Sequence, residues 1–317
     1  MHDLQGAGRA PRRAGRAWAW VLIAGSLALS AHAADRQSLD DAWWTGPIIA
    51  NSPAALPPGH LYVEPYVYDV QSSGVHAYGS QSFILYGVTR RFTMGFIPAF
   101  GYTRLRDGNS SSHVGVGDIA LHAQYALTSL DVEHRVPAIA VAVEQSLPTG
   151  RFDRLSRPAN GFGAGVYTTT VALYAQDVYW MPNGRILRAR LNLSGSWSGN
   201  ARLADRSVYG TNDGFRGEAS PGAALAFDSS WEYSLSQHWG LALDLYYRHR
   251  AATRTIGADA TGPVRLTAGA ADTYALVPAV EYNWNARVGV IGGVRMIPAS
   301  RNTTTSVTPV IALSLFI

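Results

Sequence analysis

"TTTSVTPVIALSLFI", residues 303–317, decides how the chain is to be read. Val307, Pro309, Ile311, Leu313, Leu315 and Ile317 fall on every second position, with Ser306, Thr308, Ala312 and Ser314 between them. A repeat of two is the signature of extended backbone, whose successive side chains leave opposite faces. One face of this strand is therefore apolar along its whole length. Such a face needs an apolar partner, either a second sheet inside a soluble sandwich or the acyl chains of a membrane.

The same period recurs along the chain. It predicts strands near 60–70, 80–89, 92–104, 116–127, 136–147, 163–180, 186–198, 223–235, 238–250, 271–284, 286–297 and 305–317. Twelve is an even number, as bacterial single-chain barrels require. Connections alternate between short turns, such as "TRR" (89–91) and "MPNGR" (181–185), and long loops, such as "PTGRFDRLSRPANGFG" (148–163) and "GNARLADRSVYGTNDGFRGEASPG" (199–222). "AATRTIGADATGPVRLTAGA" (251–270) reads as another long loop. Short turns at one end and long loops at the other predict a barrel with both termini in the periplasm.

Three features favour lipid over a second sheet. Aromatics gather near strand ends, among them Phe92, Tyr125, Tyr179, Trp180, Trp197, Trp231, Trp239, Tyr247, Tyr282 and Trp284, the heights at which rings meet lipid headgroups. A closed barrel leaves no unpaired edge, the only state of a sheet that hydrocarbon tolerates. The final stripe resembles the assembly signal of outer-membrane proteins, although Ile317 stands last and Phe316 only next to last. That resemblance implies the barrel assembly machinery as a partner. The expected fold class is all-β: a transmembrane, antiparallel up-and-down barrel of about 12 strands, of the outer-membrane type.

The start of the chain agrees. Arg9, Arg12, Arg13 and Arg16 precede an apolar run over about 17–29 and then Ala31-His32-Ala33, the three parts of an export signal. Residues 1–33 are thus expected to be a cleaved signal peptide, 34–57 an N-terminal segment and 58–317 the barrel. Removing the signal leaves 22 arginines against 21 acids, so the basic balance of the whole chain is no sign of nucleic-acid binding. With no cysteine, a disulfide framework and thiolate metal sites are excluded. The stretch ahead of the first strand, 34–60, carries Trp43, Trp44 and four prolines. It is either a periplasmic lead-in or a plug folded into the lumen; two adjacent tryptophans favour the second, since both would otherwise stand in water.

Alternation places Glu64, Asp118, His122, Glu144, Arg188, Arg190, Asp228, Glu232, Asp244, Arg248, Glu281 and Arg295 on the lumen side. Mid-strand charge there needs water or a partner. These residues could form a ladder of arginine–carboxylate pairs bracing the cylinder, or a polar conduit with a transverse field. His122 with Asp118 on the same face is the one arrangement that hints at a lipid-active enzyme barrel, but no nucleophile is placed beside it. No pair of histidines has metal-ligand spacing, and "GVGDIA" (115–120) runs into a strand, so no metal or cofactor site is expected.

"WTGPIIANSPAALPPGHLYVEPYVYD" (44–69), "YGVTRRFTMG" (86–95), "GVGDIALHAQYAL" (115–127) and "PAIAVAVEQSLPTGRFD" (137–153) resemble, in order and spacing, the meta-pathway phenol-degradation family of outer-membrane barrels. The resemblance spans most of the chain after the signal. It implies a channel or transporter for small hydrophobic or aromatic compounds, with outer-membrane lipids and lipopolysaccharide as surroundings and no catalytic residues. Gly115, Gly117, Asp118, Pro148, Thr149 and Gly150 match its recognisable positions, and read as strand-start and loop geometry. A lipid-active enzyme barrel and a plugged structural barrel are the alternatives.

Overall fold

The computed structural model describes residues 36–317, so the expected signal peptide lies outside the described residues. The strands, in chain order, are β1 (Leu61–Ser72), β2 (Val75–Gly87), β3 (Phe92–Ile97), β4 (Ala99–Leu105), β5 (Gly115–Val116), β6 (Ile119–Thr128), β7 (Ala138–Leu147), β8 (Thr168–Trp180) and β9 (Ile186–Ser198). They continue as β10 (Ala201–Ala204), β11 (Arg216–Ser220), β12 (Ala224–Ser234), β13 (Trp239–Arg250), β14 (Thr253–Asp259), β15 (Gly262–Ala268), β16 (Ala271–Asn285), β17 (Val288–Ile297) and β18 (Ser306–Phe316).

Fourteen of these form one sheet in which β1 pairs with both β2 and β18, which closes the cylinder. Tyr62 lies opposite Phe316 and Val67 opposite Ile311, so the terminal stripe is zipped to the first strand. β3 and β4 are halves of one stave, interrupted at Pro98, which has no N–H for the ladder. β5 and β6 are likewise halves of the next, interrupted at Gly117-Asp118. The result is a closed antiparallel barrel of twelve staves, as expected.

The faces sort by parity. Leu191, Leu193, Leu225, Phe227, Leu241, Leu245, Leu276 and Ile311 are exposed on the outside, while Arg190, Asn192, Asp228, Ser230, Glu232, Asp244 and Glu281 are buried within. This inverts the soluble pattern and is the arrangement lipid demands. Trp197, Trp231, Trp239, Tyr274 and Trp284 are exposed near strand ends.

Two local outcomes differ from the sequence reading. The gap between the predicted strands 60–70 and 80–89 closes to a two-residue hairpin, Ser73-Gly74, whose Gly74 has φ +82°, a value such a tight turn needs. The loops 199–222 and 251–270 contain strands: β10, β11, β14 and β15 pair in that order as a second, four-stranded sheet. They extend β9, β12, β13 and β16, four adjacent staves, beyond breaks at 199–200, 221–223, 251–252 and 269–270. One face of this sheet packs Ala201, Leu203, Phe215 and Ala219 onto Val166, Phe152 and Tyr209.

Candidate functional site

The bore holds the N-terminal segment. Its first described residues are tied to the short-turn end of the barrel: Gln37 N donates to Gly184 O at 2.9 Å, and Trp180 Nε1 donates to Gln37 O at 2.9 Å. Trp43 packs edge-on against His238 with ring centroids 4.7 Å apart, and the Arg188 guanidinium lies 4.6 Å over the Trp44 ring. The chain then runs inward and meets a row of lumen side chains. Thr45 N and Oγ1 both donate to Glu281 Oε2 at 2.8 Å. Ile48 N and Ala50 N donate to the two oxygens of Asp244 at 3.1 and 3.3 Å.

Further round the same side, on β9 and β8, Arg190 Nη1 donates to Ala50 O at 2.9 Å, Asn192 Nδ2 to Asn51 O at 3.2 Å, and Asn51 Nδ2 to Tyr174 OH at 3.1 Å. The segment returns past Gln124, which donates to Ser52 O at 3.1 Å, and Thr93, which accepts from Leu56 N at 2.9 Å. Gly59 N then donates to Gly87 O at 2.8 Å, back at the short-turn end where β1 begins. A segment with four prolines has few internal bonds to make, so its backbone groups must be met from outside. The lumen carboxylates, amides and Arg190 meet them.

Gly46 shows how close the fit is. Its φ of +107° is a left-handed value, and a Cβ there would stand 3.3 Å from Arg190 Nη1.

Eight of the twelve expected lumen residues fall into four groups. Arg188, Arg190 and Glu232 form one ionic cluster: Arg188 Nε donates to Glu232 Oε2 at 2.7 Å, Arg188 Nη2 bonds Oε1, and Arg190 Nε lies 3.5 Å from Oε2. Asp244 and Glu281 are occupied by the segment. Asp228 and Glu144 line a cavity of about 180 Å³ beside Ile49, Asn51 and Tyr174. Asp228 is 3% exposed, and neither of its carboxylate oxygens has a partner among the described residues. Arg295 lines a second cavity, of about 380 Å³, on the other side of Ile49.

The rest lie elsewhere. Glu64 is buried and accepts from Tyr66 OH at 3.0 Å; Arg248 is exposed near the long-loop rim beside Thr273 and Thr303. His122 is 5% exposed and faces the segment with Gln124. Asp118 lies at the break before β6, where its oxygens accept from Gly150 N at 2.9 Å and Ala164 N at 2.7 Å. No hydrogen bond joins His122 to Asp118 among the described residues, and Asp118 instead fastens the β7–β8 loop. Thr149 Oγ1 adds to that junction by donating to Gly117 O at 3.0 Å and accepting from Ile119 N at 2.9 Å.

Inward Gln124, Gln176, Asn192 and Tyr174 also belong to the site. The alternation that selected the charges marks their faces equally well, but neutral amides and a phenol carry no mid-strand charge to draw notice.

The class is thus an outer-membrane-type barrel whose lumen holds a folded-in segment of its own chain. Residues 46–307 match the family described as "MetA-pathway of phenol degradation", and the chain belongs to that family. No curated protein matches the chain. Among solved structures it is similar to the COG4313 outer membrane channel from Pseudomonas putida F1, at 16% identity over 85% of this chain and 100% of that one, with a TM-score of 0.58. The toluene transporter TodX of Pseudomonas putida is a looser likeness, at 11% identity over 87% of this chain and 95% of that one, with a TM-score of 0.46.

Proposed function

We propose that this protein is an outer-membrane channel for small hydrophobic or aromatic compounds. The observation that carries the reading is a closed barrel whose bore combines apolar and aromatic walls with a few placed charges. Beyond the segment, the lumen opens into two cavities on either side of Ile49, one lined by Asp228 and Glu144 and the other by Tyr66, Tyr68, Phe83 and Arg295. The second has the mostly apolar lining with a small number of polar groups that is usual in a site for small organic molecules. Membership of a phenol-degradation family and likeness to an outer membrane channel support the same reading.

Residues 34–57 act as the lumen plug, and the ionic cluster of Arg188, Arg190 and Glu232 braces the wall that it leans on. The polar lipopolysaccharide layer resists apolar solutes, and the barrel offers them a way past it. Export through a cleaved signal peptide and insertion by the barrel assembly machinery complete the proposal.

The test is growth of a strain lacking this protein on a panel of aromatic carbon sources at low concentration. Slowed growth on at least one, restored by the full chain, is expected. Unchanged growth on all of them, together with no uptake of neutral aromatics by proteoliposomes, would sink the reading.

A further inference from the structure

The cavity of about 380 Å³ has a polarity gradient that matches one kind of solute. Arg295 on β17 and Thr308 on β18 are direct cross-strand partners, so both side chains enter the lumen side by side. They lie two residues from the strand ends at Ile297 and Ser306, near the long-loop mouth. Arg295 Nε and Thr308 Oγ1 are buried and have no hydrogen-bond partner among the described residues, and no carboxylate lines this cavity.

One step deeper, Tyr68 faces Val310, and Tyr66 faces Ala312. Tyr66 and Phe83 meet edge to face at 5.9 Å, and Ile48 of the N-terminal segment packs against them. The Tyr68 ring lies across Gly79, where a Cβ would come within 2.3 Å of it. A bare glycine is what lets that ring lie against the wall.

An unpaired planar guanidinium beside a hydroxyl, above a pocket of rings, suits a carboxylate on an aromatic body. A ring of benzene size needs about 150 Å³, so the cavity holds one with room for a substituent. We infer that this cavity is a binding site for aromatic carboxylates: the ring packs among Tyr66, Tyr68 and Phe83, and the carboxylate accepts from Arg295 and Thr308. The inference rests on the channel reading and narrows it, since neutral aromatics need only the rings.

Calorimetric titration of the full chain, refolded in detergent, tests it with benzoate, benzyl alcohol and hexanoate as probes. Benzoate is expected to bind most tightly. Arg295→Gln should weaken it by roughly tenfold or more, the loss of a charge-assisted hydrogen bond, and leave benzyl alcohol unchanged. Arg295→Lys, which keeps the charge but loses the planar fork, should fall between, and Thr308→Val should weaken benzoate several-fold. Heat-shifted gel mobility shows which variants have closed, and the closed ones decide.

Benzoate bound equally by Arg295→Gln, no better than hexanoate, or not at all by the unsubstituted protein would overturn the site. Failure of the channel reading looks different: benzoate would still bind while proteoliposomes take up no neutral aromatic.

Discussion

Glu232 is fully buried between Arg188 and Arg190, and both arginines also serve the segment, one under Trp44 and the other at Ala50 O. Taking three charges out of water is costly, and their attraction offsets that cost only while the set is complete. Removing the carboxylate leaves two guanidinium groups facing each other in a tight space. Glu232→Ala is therefore expected to destabilise the barrel by about 3–5 kcal/mol, more than an ordinary core truncation to alanine of a small side chain. Urea unfolding in detergent, followed by the gel shift of the closed barrel, would measure it. A loss below about 1 kcal/mol, the range of exposed pairs, would mean that water reaches the cluster.

The N-terminal segment is an element without regular structure, held through its backbone by side chains of strands far away in sequence. Asp244 and Glu281 take four backbone N–H groups and one hydroxyl from residues 45–50 between them. Asp244→Asn with Glu281→Gln replaces acceptor pairs by half-donating amides and weakens each of these bonds. On the plug proposal, the double variant is expected to show a several-fold larger or more frequently opening conductance in planar bilayers. An unchanged current would show that the segment is fixed by its other contacts, at Gln124, Arg190 and Thr93.

This element also shows what could be read in advance. Two tryptophans and four prolines signalled a segment that is irregular and seeks cover. Which carboxylates receive it was not legible, because Thr45 and Glu281 meet only once β16 has closed beside β13. The staves themselves were legible because parity repeats over ten or more residues in most of them. The second sheet was hidden, as β10 and β11 run for four and five residues, too short for a period to stand out from a loop. Asp118 illustrates the same limit at a site: its parity is that of a lumen residue, but the break at Gly117 and the loop beyond β7 claim its oxygens.

At the scale of the molecule, the two ends of the cylinder are unlike, and that asymmetry predicts its orientation. Arg90, Arg91 and Arg287 are exposed in short turns, at the end where the N-terminal segment goes in. Arg106 is exposed in the long connection between β4 and β5, at the end where β10, β11, β14 and β15 raise one side of the wall. Outer-membrane barrels place short turns in the periplasm and long loops outside the cell. In that orientation Arg295 and Asp228 stand on the extracellular side of the segment, two and four residues in from the long-loop ends of β17 and β12. Trypsin added to intact cells is expected to cut after Arg106, and after Arg90, Arg91 or Arg287 only once the outer membrane has been permeabilised. Mass spectrometry of the fragments reads both sites in one sample. Cleavage at Arg287 in intact cells with Arg106 spared would invert the barrel, and with it the direction in which the segment stands guard.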